Sequence, residues 1–168
     1  MIMNLNDIFP ENFSEQSKVW IYQSDRILSN KEATELHPIL QSFTSEWNSH
    51  GAPVKGYANL VLNSFIILMA DEDQTPVSGC SLDTSVHAIK KIEKKLNINL
   101  FNRQLLAFLV KDEIKMIPYA HIEPAIQNGV IDQHTPYFNN LVSTKKELLE
   151  KWIIPAEKSW LGKRFFNV

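Results

Sequence analysis

The chain has 168 residues, of which 44% are hydrophobic and 21% charged, the proportions of a globular domain rather than of a disordered or fibrous chain. Its 17 basic and 19 acidic residues give a formal net charge of −2, which excludes the overall positive field that holds a nucleic-acid backbone. The longest apolar run, Phe65 to Ala70, is far too short to span a membrane.

A chain of this length buries roughly 70% of its unfolded surface, so it needs no metal or disulfide to fold. Its one cysteine, Cys80, excludes an internal disulfide and fits a reducing compartment. Met1 to Phe13 lack the basic-then-apolar pattern of a signal peptide, and a cytoplasmic protein is expected. One domain is expected over residues 1–168: an irregular leader (1–17), an α+β core (18–118) and a C-terminal helical extension (119–168).

In chain order, Val19 to Tyr22 reads as a short strand rich in β-branched and aromatic residues. Ser29 with Glu32 makes a capping box that opens a helix. Leu36, Ile39, Leu40, Phe43 and Trp47 follow at helical spacing. Pro38 should kink this helix or reset its start, and Gly51 and Pro53 end it. Tyr57–Leu62 and Phe65–Ala70 predict two strands joined by a tight turn at Asn63-Ser64. The second is apolar on both faces, as a central strand is. A polar loop from Asp71 to Gly79 leads to a second amphipathic helix marked by Leu82, Val86, Ile89, Ile92 and Leu96. Lys90, Lys91, Lys94 and Lys95 form its solvated face. Leu105–Val110 and Ile114–Ile117 predict an antiparallel pair. A short helix near Ile122–Asn128 and a last one over Thr144–Trp152, capped by Ser143, complete the chain. Strand, helix, strand, strand, helix, strand is the ferredoxin-like βαββαβ order, here with an extra strand and C-terminal helices.

That order brings Trp47, His50 and Lys55 to the end of the sheet that also carries Asp71, Glu72, Asp73, Cys80 and Asp83. Cys80, His50, Asp71 and Glu72 are the candidates for catalysis. A thiol at a helix N-terminus has a lowered pKa, and His50 could serve it as base. The plainer reading has Cys80 or Ser81 capping the helix, with Asp83 answering its dipole. Ser78, Gly79, Ser81 and Asp83 are candidates for binding a ligand or anion at the same helix start. Asp71, Asp73 and His50 offer oxygen and imidazole to a divalent ion, although acidic loops are more often merely solvated, and no metal or other cofactor is expected. Asp83 and His87, four apart, predict a surface pair. His37, His121 and His134 match no zinc spacing.

Val19-Trp20-Ile21-Tyr22-Gln23-Ser24 opens a set of segments that resembles a family of small uncharacterised bacterial proteins often labelled "ABC transporter ATPase". The set continues with Ser78-Gly79-Cys80-Ser81-Leu82-Asp83 and Ser85-Val86. It runs on through Phe138-Asn139-Asn140-Leu141-Val142, Thr144-Lys145, Trp152, Pro155-Ala156 and Ser159-Trp160. The label implies nucleotide hydrolysis, which needs a glycine-rich loop ending in Gly-Lys-Ser/Thr. The only Gly-Lys pair is Gly162-Lys163, followed by Arg164, so no ATPase activity is expected.

Two functions remain open. One is a non-catalytic module that binds a partner protein or a second copy of itself. The aromatics and cations of Trp160–Phe166 have the composition of an interface, or of a tail packed on its own domain. The other is a small enzyme or small-ligand binder using the end of the sheet near His50, Asp71, Glu72 and Cys80. Neither nucleic acid nor a membrane is expected as a partner.

Overall fold

The computed structural model describes residues 3–168. The elements, in chain order, are β1 (Lys18–Gln23), α1 (Asn30–Glu46), a small hairpin of β2 (Asn48–Ser49) and β3 (Ala52–Pro53), β4 (Lys55–Val61), β5 (Phe65–Asp71) and α2 (Gly79–Leu96). Then come β6 (Leu105–Val110), β7 (Glu113–Pro118), α3 (Ile122–Gln127), β8 (Pro136–Phe138), α4 (Lys145–Lys151) and β9 (Ile153–Pro155). Helices and open sheets mix in one α+β architecture, and among the described residues no helix is long and apolar enough to cross a membrane.

The capping box forms as expected: the Glu32 backbone N–H donates to Ser29 Oγ at 3.2 Å, and the Ser29 N–H donates to the Glu32 carboxylate at 2.8 Å. Contrary to expectation, α1 runs unbroken through Pro38. Pro38 is exposed, so the ring and the lost hydrogen bond fall on the side where water can satisfy the freed carbonyl. The β4–β5 connection is the three residues Leu62-Asn63-Ser64 rather than Asn63-Ser64 alone; Leu62 and Asn63 take left-handed φ, 54° and 50°, and the Ser64 N–H closes the turn on Val61 O at 3.2 Å.

β5 is the centre of the first sheet, with antiparallel neighbours on both sides in the order β1–β5–β4. Its side chains alternate between two cores. Ile66 and Leu68 pack with Leu36, Leu40, Ile89 and Ile92 of α1 and α2. Phe65, Ile67 and Met69 face the second sheet, where Phe65, Phe138 and Trp152 form an aromatic triad with ring centroids 4.7 to 5.4 Å apart.

β1, α1, β4, β5 and α2 run strand, helix, strand, strand, helix, interrupted by the small β2–β3 hairpin, and β6 departs from the expected ferredoxin-like order. β6 does not pair with β1; it is interior to a second antiparallel sheet, β7–β6–β8–β9. The cause is visible in its sequence. Leu105–Val110 is apolar on both faces: Ala107 and Leu109 pack towards the first sheet, Leu106 and Phe108 towards α3 and the C-terminal segment. A strand of that kind needs cover on both sides. The two-residue turn at Lys111-Asp112, with φ of 51° and 62°, folds β7 onto one edge of β6, and β8 takes the other. Among the described residues the outer edge of β1 is therefore left to a single bridge, Lys18 with Thr144.

The leader and the C-terminal region are both more structured than the sequence suggests. Phe9 and Phe13 plug the inter-sheet core. Lys145, only 7% exposed, donates from Nζ to the Pro10 and Phe13 carbonyls at 2.7 and 2.9 Å, and Tyr57 OH donates to Ile8 O. The C-terminal region contributes strands β8 and β9 as well as helices, and α4 is capped by Thr144 rather than Ser143.

Candidate functional site

The end of the first sheet that collects the candidate residues is built as follows. Trp47, just past α1, donates from Nε1 to the Ser81 carbonyl at 2.9 Å and lies against Gly56, where an added Cβ would come within 2.8 Å of its ring. Small residues on α2 make room for the aromatic side chains: Ser81 and Ser85 are the buried positions of its first turns, and Leu82 and Val86 are only partly covered. The apolar stripe read from the sequence is thus displaced by one position at this end of the helix. Ser78, not Cys80 or Ser81, is the N-cap, accepting the Ser81 N–H at 3.2 Å, and Asp83 falls beyond the first turn.

Two of the carboxylates here, Asp71 and Glu72, are occupied by the fold. Asp71, 4% exposed, accepts the Ser14 backbone N–H at 3.0 Å on one oxygen and the Asp73 N–H at 3.0 Å on the other. Lys55 Nζ lies 3.4 Å from it and also donates to the Asn12 carbonyl. The Ser14 N–H, above all, holds the Asp71 carboxyl below the usual aspartate range; burial opposes this, and Asp73 and Lys55 reinforce it. Glu72 pairs with Lys18 at 2.9 Å. These groups fasten the leader and the loop.

His50 is exposed at the tip of the β2–β3 hairpin with left-handed φ of 52°. It makes no hydrogen bond or ion pair among the described residues. Cys80 is exposed, Asp73 and Asp83 are exposed, and Gly79 has open space around it. Asp83 and His87 form no ion pair among the described residues. Among the described residues no group of three or more His, Cys, Asp or Glu side chains is placed to hold a metal ion. Among the described residues His50, Cys80, Asp71 and Glu72 make no hydrogen bond or ion pair with one another.

A second region does converge. β1, the loop from Leu100 to Leu106, the turn from Phe138 to Val142 and Trp160 enclose a cleft of about 430 Å³. Three of the chain's exposed large apolar residues stand on its rim: Leu141 at 71%, Phe101 at 39% and Trp160 at 39%. Trp160 is oriented by donating from Nε1 to Tyr137 OH at 3.1 Å, and Phe101 packs edge-on against Tyr22 with centroids 5.4 Å apart. Burial raises the Tyr137 and Tyr22 hydroxyl pKa values, so both phenols are neutral.

The floor of the cleft is the outer edge of β1. Val19 N–H donates outward to Ser143 O at 3.0 Å. By the alternation of an antiparallel strand, the N–H and C=O of Ile21 and Gln23 also point outward. Among the described residues they have no backbone partner. At the far end a polar relay closes the cleft: Trp152 Nε1 donates to Asn140 Oδ1 (3.0 Å), Asn140 Nδ2 to Gln23 Oε1 (2.9 Å), and Gln23 Nε2 to Leu105 O (3.0 Å). One charged residue, Arg103, lines the cleft; it is exposed and has no ion-pair or hydrogen-bond partner among the described residues.

Sequence reasoning missed this cleft. Its only local signal is Leu141, a large apolar residue following two asparagines in a turn. Trp160 and Phe165 stack and pack on Tyr119 (6.1 and 5.7 Å), and Arg164 donates to Tyr119 OH at 2.9 Å, so most of the C-terminal aromatic stretch is used within the domain. Gly162 packs on the Glu157 carbonyl, an arrangement with no room for a phosphate. Comparison with protein-family models, with curated proteins and with solved structures finds no match to this chain.

Proposed function

We propose that this chain is a non-catalytic interaction module and that the β1 cleft is where a partner protein docks in extended form. The observation that carries the reading is the unpaired outward backbone of Ile21 at the floor of a cleft rimmed by exposed Phe101, Leu141 and Trp160. An unpaired strand edge offers main-chain hydrogen bonds to any extended peptide, and flanking apolar side chains add area and selectivity. Exposed edges and exposed aromatics are each a liability for a free protein, and both are explained together if a ligand covers them. The alternative, a small enzyme at the His50 end, draws less support, because Asp71 and Glu72 are committed to contacts that hold the fold and His50 and Cys80 are both exposed with no bond between them among the described residues.

The test is selection of displayed random peptides on the folded protein, followed by amide hydrogen exchange with and without a selected peptide. Slowed exchange at Ile21 and Gln23, with binding at least tenfold weaker to Leu141→Asp, is expected. Leu141 is on an exposed turn, so that variant keeps the fold. Selected peptides that bind Leu141→Asp as tightly as wild type, or that protect α2 residues instead, would remove the cleft from the argument.

A further inference from the structure

The β1 edge is open only over a short stretch. At one end Ser143 and Thr144 already pair with Lys18 and Val19. At the other, Gln23 is tied to Leu105 and Asn140. From Val19 to Gln23 the strand covers roughly 13 Å at about 3.3 Å per residue, room for about four residues of an added strand. Both ends of the gap are closed by the domain itself, so a long strand cannot run through it. A second copy cannot lay its own β1 there either, because that strand is closed at the same two ends by its own domain. What such a slot accepts is the end of a chain.

Its charge says which end. Among the described residues the lining is apolar apart from a few amides and hydroxyls, and its one charge is the guanidinium of Arg103, unpaired among those residues. Among the described residues no carboxylate lines the cleft to receive an N-terminal ammonium. A guanidinium at the mouth of an apolar slot matches a carboxylate in charge and in its two-oxygen geometry. Resting on the docking reading above, we infer that the cleft receives the free C-terminus of a partner protein: about four residues, extended and mainly apolar, with the terminal carboxylate on Arg103 and an apolar side chain between Phe101, Leu141 and Trp160. Specificity then comes from the apolar pockets, and the requirement for a chain end comes from Arg103.

The experiment uses two fluorescein-labelled, N-blocked pentapeptide pools with Val, Ile, Leu or Phe randomised over the last four positions. One pool carries a free carboxylate and the other a C-terminal amide; binding is read by polarisation on wild type, Arg103→Gln and Leu141→Asp. The carboxylate pool should bind wild type at least tenfold more tightly than the amide pool. Arg103→Gln should erase that difference by weakening only the carboxylate pool, and Leu141→Asp should weaken both. Equal binding of the two pools to wild type, lost in Leu141→Asp, would overturn the chain-end inference while leaving the docking reading intact. Binding of neither pool would overturn the chain-end inference, and the docking reading would then stand or fall by the random-peptide selection. A wild-type dimer in sedimentation that Leu141→Asp dissociates would put a second copy in the cleft and overturn the inference as well.

Discussion

Two glycines, given the same substitution, should respond with opposite signs. A methyl group on Gly162 would sit 2.1 Å from the Glu157 carbonyl oxygen and 2.9 Å from its carbon. Ordinary contact begins near 3.4 Å, so something must move by more than about 1 Å, and neither side is free to do so. Glu157 is pinned by its N–H on Gln133 O at 2.9 Å, Ala156 by its N–H on Thr135 O at 3.0 Å, and Gly162 by its own N–H on Ser159 O at 3.0 Å. Ala156 and Leu161 beside them are buried. Overpacking of this kind costs about 1–3 kcal/mol, and the helical preference of alanine returns at most about 1 kcal/mol. A clash as short as 2.1 Å belongs in the upper part of the overpacking range, about 2–3 kcal/mol, so the net loss for Gly162→Ala is about 1–2 kcal/mol, or a fall of about 2–8 °C in Tm for a chain of this size. Gly79 is the contrast. It opens α2, has no positive φ, and a Cβ there meets nothing within 4 Å. Removing its freedom in the unfolded chain should stabilise the protein by about 0.4–1 kcal/mol. Thermal and urea unfolding of both variants checks this. A Gly162→Ala protein as stable as wild type, or a Gly79→Ala protein that unfolds earlier, would refute the steric reasoning. Because Gly79 is also a candidate ligand-binding position, the same variant should bind the selected peptides as wild type does.

Two further outcomes follow from the end of the sheet around Asp71. Its carboxyl is held below the usual aspartate range, chiefly by the Ser14 N–H, so its contribution is present above the ordinary value of about 3.9 and is lost as pH falls through the lower folded value. Asp71→Asn should cost about 1–3 kcal/mol at neutral pH, and its gap from wild type in urea unfolding should narrow on acidification; a gap that stays constant from pH 7 to pH 2 would show that the charge is irrelevant. Cys80, exposed and not bonded to His50 among the described residues, should react with a disulfide reagent in the native protein at a rate that His50→Ala leaves unchanged, and a tenfold slowing in that variant would restore a thiol–imidazole site.

How far these features were legible in the sequence depends on the range over which each is decided. The capping box at Ser29 and Glu32, the central position of β5 and the β4–β5 and β6–β7 hairpins were legible because each is settled within a few residues by side-chain hydrogen bonds, apolar runs or turn geometry; the β2–β3 hairpin was not, its residues being read only as the end of α1. The placement of β6 was not. Its composition announces burial on both faces, but whether the covering layer is α2 or a second sheet depends on β8 and β9, which arrive much later in the chain and are short enough to be read as loop. The leader was misread for a related reason. Phe9 and Phe13 sit among polar residues, and their burial depends on Lys55, Asp71 and Lys145, none of them near in sequence.

The same displacement of β6 creates the cleft, which explains why no reading of motifs could have found it. In a closed ferredoxin-like sheet a fourth strand would pair with β1 and hide Ile21 and Gln23. Here β6 is drawn into the second sheet by its own two apolar faces, and β1 keeps only the Ser143–Thr144 bridge at one end and the Gln23 relay at the other. The open stretch between them belongs to no single segment: its floor comes from residues 19–23, its charge from Arg103, and its rim from Phe101, Leu141 and Trp160. None of these is unusual where it stands in the sequence. A strand edge is a property of what fails to pair with it, and the sequence records β1 as an ordinary apolar strand whether or not a neighbour arrives.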